Sequence, residues 1–174
     1  TSWIKPMKYV GVWWEMHLKV SIWDMDGKYP HCATTENVKK YIDFAAENGF
    51  GGVLVEGWNE GWGWGERFDY SQPYPDFDIE ELCRYAEERG VELIGHHETY
   101  ANVSNYDAQM EDAYAFYEGL GVNNVKTGYV GSIQDYNHYD REMVDHYNRT
   151  VVDGAKYKLC IDIHEPIHST GICR

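Results

Sequence analysis

Two short runs in this sequence place imidazole beside carboxylate, His96-His97-Glu98-Thr99 and His164-Glu165-Pro166. A carboxyl crowded by other acids, or withdrawn from water, rises in pKa and becomes usable as a general acid or base. Two more acids, Glu15 and Glu56, follow apolar runs of the same kind. Carboxylates that converge can activate a water or hold a hard cation such as calcium, which takes about 6–8 oxygen ligands. One acid at a strand end is ordinarily a solvated edge residue, whereas four that gather on one face point to a site. For the histidines, a satisfied hydrogen bond in the core is an equal alternative. The His-His-Glu order does not make the His-Glu-x-x-His pattern of a zinc protease.

A second candidate is the stretch Glu56-Gly57-Trp58-Asn59-Glu60-Gly61-Trp62-Gly63-Trp64. Its glycines would let the backbone approach a ligand, its indoles would stack on sugar rings, and Glu56 would bind hydroxyls. A tight loop plugged by tryptophan accounts for the same residues. Trp13 and Trp14 carry the same two readings. Composition leaves both open: aromatics are 16% of the chain, with 7 Trp and 15 Tyr, enough for stacking walls or for an aromatic core.

Charge narrows the partners. There are 29 acidic and 15 basic side chains and a formal net charge of -14. Nucleic acid and anionic membrane surfaces need clustered Lys and Arg, so both are excluded as expected partners. No apolar run nears the roughly 18 residues that span a bilayer, and no signal peptide is visible behind Thr1. Cys32, Cys83, Cys160 and Cys173 show no Cys-x-x-Cys spacing, which predicts buried free thiols rather than disulfides or zinc.

Positioning the candidate residues requires strands. Tyr9–Trp14, Gly52–Val55, Val91–Gly95, Asn124–Tyr129 and Lys158–His164 are short, apolar or β-branched, and read as buried strands. Between them lie amphipathic stretches. Val38, Tyr41, Ile42 and Ala45 fall on one helix face that Gly49 ends, and Asp78 with Glu81 makes a capping-box-like start for a helix ended by Gly90. Further helices are predicted over about 104–118 and 139–155. Strand and helix alternating in this way predict a parallel α/β sheet. No glycine-rich phosphate loop follows the first strand, and the loops after the strands carry the polar and aromatic residues. A TIM-barrel type (β/α)8 fold is therefore favoured over an open doubly wound sheet. Four of the five strands would end in Glu15, Glu56, Glu98 or Glu165, on one face. Five strands supply about the first five β/α units, so residues 1–174 are expected to be an incomplete catalytic barrel domain.

Taken together, these segments resemble glycoside hydrolase family 97, in its inverting α-glucosidase branch. The resemblance is carried by Trp3-Ile4-Lys5-Pro6, Lys8 to Trp14, Val53 to Trp62, Pro73 to Asp78, His96-His97-Glu98-Thr99, Val125 to Gly131, His164-Glu165 and Thr170-Gly171-Ile172-Cys173-Arg174. It implies a multidomain enzyme of bacterial starch utilisation, periplasmic or secreted, acting on oligosaccharides with calcium as cofactor. It further implies a barrel completed by N- and C-terminal domains of the same polypeptide that this chain lacks. By this resemblance Glu98 matches a base that activates water, and Glu165 a carboxylate that serves as base and binds calcium. Glu56, His96, His164 and Trp13 match substrate-pocket positions. Retaining members look to carry an Asp nucleophile where this chain has Gly128, which implies inversion. The general acid is implied to lie beyond Arg174, so the chain alone is expected to be inactive. A retaining α-galactosidase-type relative and a non-catalytic fragment that binds sugar or calcium are the alternatives.

Overall fold

The computed structural model describes residues 2–23, 31–62, 68–133 and 136–167. Gly63, Trp64, Cys173 and the 170–174 motif lie outside the described residues. Five strands alternate with helices: β1 (Tyr9–Val12), α1 (Trp14–His17), α2 (Thr35–Glu47), β2 (Gly52–Val55), α3 (Ile79–Glu87), β3 (Glu92–Glu98), α4 (Val103–Gly119), β4 (Asn124–Gly128), α5 (Arg141–Lys156) and β5 (Cys160–Ile163). The strands form one sheet in sequence order, every neighbouring pair parallel.

Local chemistry explains the helix limits. Thr34 caps α2 by accepting from Asn37 N at 3.2 Å, and Asp78 caps α3 by accepting from Glu81 N at 3.0 Å. Each satisfies a first-turn N–H that has no carbonyl partner within the helix. Gly49 and Gly90 follow α2 and α3 with φ of 72° and 70°, a conformation costly for residues with a Cβ.

The sheet has two unlike faces. Val12, Val53, Val55, Leu93 and Val125 join the main core with Ile42, Leu82 and Met110 from the helices. The opposite face carries Tyr9, Lys126 and Asp162, and the Tyr9 hydroxyl donates to Asp162 Oδ2 at 2.9 Å. In a flat sheet, four spacings of about 4.8 Å would hold β1 and β5 roughly 19 Å apart. That bond therefore requires a strongly curled sheet, with this face concave.

Two expectations need correction, and one of two open readings falls away. Strand β1 stops at Val12 because Trp14 begins a short helix, so Glu15 sits on α1 and not at a strand end. Its carboxylate accepts from Asn37 Nδ2 at 3.0 Å and the Tyr41 hydroxyl at 2.9 Å, which ties α1 to α2. Trp58 is not a sugar platform: it is 1% exposed and packs on Phe77, Phe116 and Tyr117 beneath the helices. Among the described thiols Cys32 is buried as expected, whereas Cys83 and Cys160 are partly exposed, and all three are free. A smaller difference is that β3 continues to Glu98, because residues 95–98 pair in register with β4 residues 125–128. No helix among the described residues is long and apolar enough to cross a membrane.

Candidate active site

Strand alternation sends His96 and Glu98 to the concave face and His97 to the helices. His97 is fully buried, with Nδ1 3.0 Å from the Tyr106 hydroxyl and its ring stacked on Tyr114 and Tyr117. Burial pushes its pKa down to about 3, so it is a neutral core residue. His96 is equally buried and is pushed down by burial to about 4, yet among the described residues neither of its ring nitrogens has a hydrogen-bond partner. It stands on the concave side of β3 as a buried, uncharged imidazole.

Glu98 ends β3 and is 8% exposed. Its Oε1 accepts from the backbone N–H of Tyr100 at 2.7 Å and of Val130 at 3.2 Å. Burial pushes its pKa up to about 7; the two N–H groups oppose the rise, and the charges of Glu165 and Glu56 add to it. The turn that brings Tyr100 N onto the carboxylate is strained, with Tyr100 and Ala101 at φ of 48° and 61°. Backbone strain of this kind concentrates where geometry serves a site. Across from Glu98 in register is Gly128. A Cβ there would overlap Glu98 Oε2 and lie 2.9 Å from its Cδ, so the carboxylate occupies the room that a side chain at 128 would need.

Glu165 follows β5 with φ of 63°, which breaks the strand's alternation. Its Oε2 accepts from Tyr129 N at 2.8 Å, and Oε1 lies 3.4 Å from His164 Nδ1. His164 is exposed, with more than half of its side chain in solvent.

Glu56 follows β2 and meets a cation. Lys126 Nζ donates to Oε1 at 3.0 Å, His96 Nε2 lies 3.6 Å from the same oxygen, and Trp23 Nε1 donates to Oε2 at 3.3 Å. Burial alone would raise this carboxyl, but the attractions of His96 and Lys126 and the hydrogen bonds carry it below the usual range. With His96 uncharged near neutral pH, Lys126 is the cation that keeps Glu56 ionised. Sequence reasoning passed over Lys126. Its signal was present, because 126 shares strand parity with 128, and a lysine inside a buried strand needs a partner.

Trp13 lies over Gly11, whose missing Cβ leaves room for the indole. It packs edge-on to His17, His17 edge-on to Trp23, Trp23 stacks on Trp62, and Trp62 stacks on His96. An aromatic arc thus runs from the exit of β1 to the exit of β3. Trp13 and Trp62 keep the platform reading that Trp58 loses. Glu98, Glu165, Glu56, His96 and His164 therefore gather at adjoining strand exits, with Trp13 at the end of the arc and Glu15 outside.

A metal needs more donors than these. Among the described residues no group of three or more His, Cys, Asp or Glu side chains is placed to hold one. Glu98 and Glu165 supply two carboxylates, with one oxygen of Glu98 held by two backbone N–H groups and one of Glu165 by one. Two carboxylates fall short of the roughly 6–8 oxygens that calcium takes.

A curled parallel α/β sheet thus carries buried acids, a buried imidazole and an indole arc at its strand exits, groups of the kind that bind sugar hydroxyls and ring faces. The family model of glycoside hydrolase 97 matches residues 13–174, and the chain belongs to that family. It is 50% identical to a family 97 enzyme from Pseudoalteromonas sp. strain K8 solved in complex with acarbose, and to a variant of it with panose. The match covers 98% of this chain and 28% of that one, at a TM-score of 0.90. A retaining alpha-galactosidase from Bacteroides thetaiotaomicron is 30% identical over 99% of this chain and 23% of its own length. The chain thus spans about a quarter of these relatives. A β-arabinopyranosidase, 17% identical at a TM-score of 0.59, shares the fold alone.

Proposed function

We propose that this chain is part of the (β/α)8 catalytic barrel of an inverting glycosidase acting on α-glucosides of starch-derived oligosaccharides. One observation carries the reading: Glu98 Oε2 fills the space over Gly128, where no side chain can act as nucleophile. A carboxylate buried and pushed up to about 7 is suited to take a proton from water near neutral pH. In this reading Glu98, with Glu165, deprotonates a water that attacks the anomeric carbon. An acid outside this chain protonates the leaving oxygen as the glycosidic bond breaks. Inversion needs the water between the base and the sugar, with base and acid carboxyls roughly 6.5–9.5 Å apart. Glu56, His96 and His164 bind hydroxyls, and Trp13 bounds the pocket. Lys126 keeps Glu56 ionised and so able to accept hydrogen bonds from hydroxyls.

Calcium belongs to this reading, held by Glu165 together with ligands from parts of the protein outside this chain. When bound, it supplies positive charge that favours ionised carboxylates beside it. A periplasmic or secreted setting suits a substrate met outside the cell. Panose, an oligosaccharide of α-linked glucose, accompanies the more similar relative and supports the substrate class.

The test uses the full-length protein with p-nitrophenyl α-glucoside and NMR of the first product. β-Glucose is expected; α-glucose released first would overturn inversion. The retaining α-galactosidase relative favours a second reading, which predicts retention and a preference for α-galactoside. The third reading concerns this chain alone: titrating it with calcium and maltose in a calorimeter distinguishes a binding fragment from an inert one.

A further inference from the structure

Tyr129 follows β4 and has two unlike ends. Its backbone N–H donates to Glu165 Oε2 at 2.8 Å, while its side chain is buried against α5. There the hydroxyl lies 2.8 Å from His146 Nε2, and His146 Nδ1 lies 2.8 Å from Asp107 Oδ1 on α4. Arg149 donates to the other Asp107 oxygen at 2.6 Å. An ionised carboxylate only accepts, so Nδ1 carries the hydrogen it donates to Asp107, and Nε2 is hydrogen-bonded to the Tyr129 hydroxyl. The result is a connected chain: Arg149 and His146 both bond to Asp107, His146 bonds to the Tyr129 hydroxyl, and the Tyr129 main chain bonds to Glu165. It starts at the surface and passes through two side chains that are each 1% exposed.

The next residue of α5 grips the same target. The Tyr147 hydroxyl donates to the Glu165 carbonyl at 3.4 Å, and its ring stands edge-on to Tyr129 with centroids 5.1 Å apart. Glu165 needs such support, because its φ of 63° lies where a side chain is unfavourable. A pairing that only joined α4 to α5 would not need to end on the residue whose N–H holds that carboxylate.

We propose that Asp107, His146 and Tyr129 form a positioning relay that sets the Glu165 carboxylate through the Tyr129 N–H. The inference rests on Glu165 being a working carboxylate. Tyr129→Phe keeps the ring and the N–H and removes only the hydroxyl. In the full-length enzyme it is expected to lower kcat about tenfold and leave KM within about twofold, since small displacements of a reacting group cost rate more than binding. Asp107→Ala should match it. Asp107→Asn, which still accepts from Nδ1–H, should restore most of the loss. In a Glu165→Gln background, Tyr129→Phe should add nothing further.

If Glu165→Gln abolishes turnover while Tyr129→Phe and Asp107→Ala leave kcat intact, the relay is overturned and the role of Glu165 stands. A lower melting temperature with unchanged kcat, or losses that multiply fully in the double variant, also overturns it. An active Glu165→Gln enzyme removes the underlying reading and the relay together.

Discussion

Glu56 and Glu98 sit at neighbouring strand exits, are equally buried, and are driven in opposite directions. Glu56 has a lysine at 3.0 Å and an indole donor, whereas Glu98, among the described residues, has two backbone N–H groups and two acidic neighbours. Burial is common to both, so the cation makes the difference. A buried acid facing a cation keeps its charge and can anchor hydroxyls; a buried acid facing dipoles and other acids holds its proton until near neutrality and can exchange it. Environments that push two carboxyls apart assign them different work.

The comparison breaks most visibly on rate. Glu98→Gln in the full-length enzyme is expected to lower kcat about a thousandfold, the scale of a lost general base. Steady-state hydrolysis of p-nitrophenyl α-glucoside measures it, and a loss under tenfold would remove Glu98 from the reaction.

On stability, Lys126 is the partner to remove. Lys126→Met leaves Glu56 buried without a cation and is expected to cost about 3 kcal/mol at pH 8. Urea unfolding should show the loss shrinking at pH 5 as Glu56 takes up a proton.

Glu98 gives the opposite signature. Its folded carboxyl keeps a proton up to about pH 7, while an ordinary one releases it near 4.5. The folded state therefore binds more protons between these values, and stability present below about 4.5 is lost as pH rises through 7. The ceiling of that loss is about 3 kcal/mol, from about 2.5 pKa units at roughly 1.36 kcal/mol each. Glu98→Gln should flatten that part of the curve and gain stability relative to the parent at pH 8 over pH 5. Equal differences at the two pH values would show that Glu98 titrates normally.

Gly128→Ala tests the space that the Glu98 carboxylate occupies. Its Cβ must displace the Glu98 carboxylate, and about a tenfold loss of kcat is expected while the protein still folds. The smallest effect belongs to Glu15, the acid that left the set. Glu15→Gln should keep kcat within about twofold and lower stability by about 1 kcal/mol, the worth of its hydrogen bonds to α2. A large rate effect there would return it to the site.

Much of this was legible along the chain. The parallel order, the Asp78 cap and the glycine stops after α2 and α3 are local, so short windows of sequence carry them. Glu56, Glu98 and Glu165 were visible because each follows a short apolar run, and parallel strands bring such exits to one face. Glu15 misled because its run ends in two tryptophans, the second of which starts a helix. Trp58 stayed open between two readings because an indole in a glycine-rich loop looks the same whether it faces a sugar or the core.

From sequence alone came the strand–helix alternation, the family and the acids at the strand exits, since periodicity, caps and motifs are written in neighbouring residues. Tertiary structure decided which acid meets a cation. Lys126 and Glu56 are separated by 70 residues and meet only because the sheet curls and strand parity turns both inward. It also decided that His96 faces the site while His97 fills the core, and that Glu98 takes the space above Gly128. Those outcomes depend on burial and on distances across strands, and neither exists until the chain has folded.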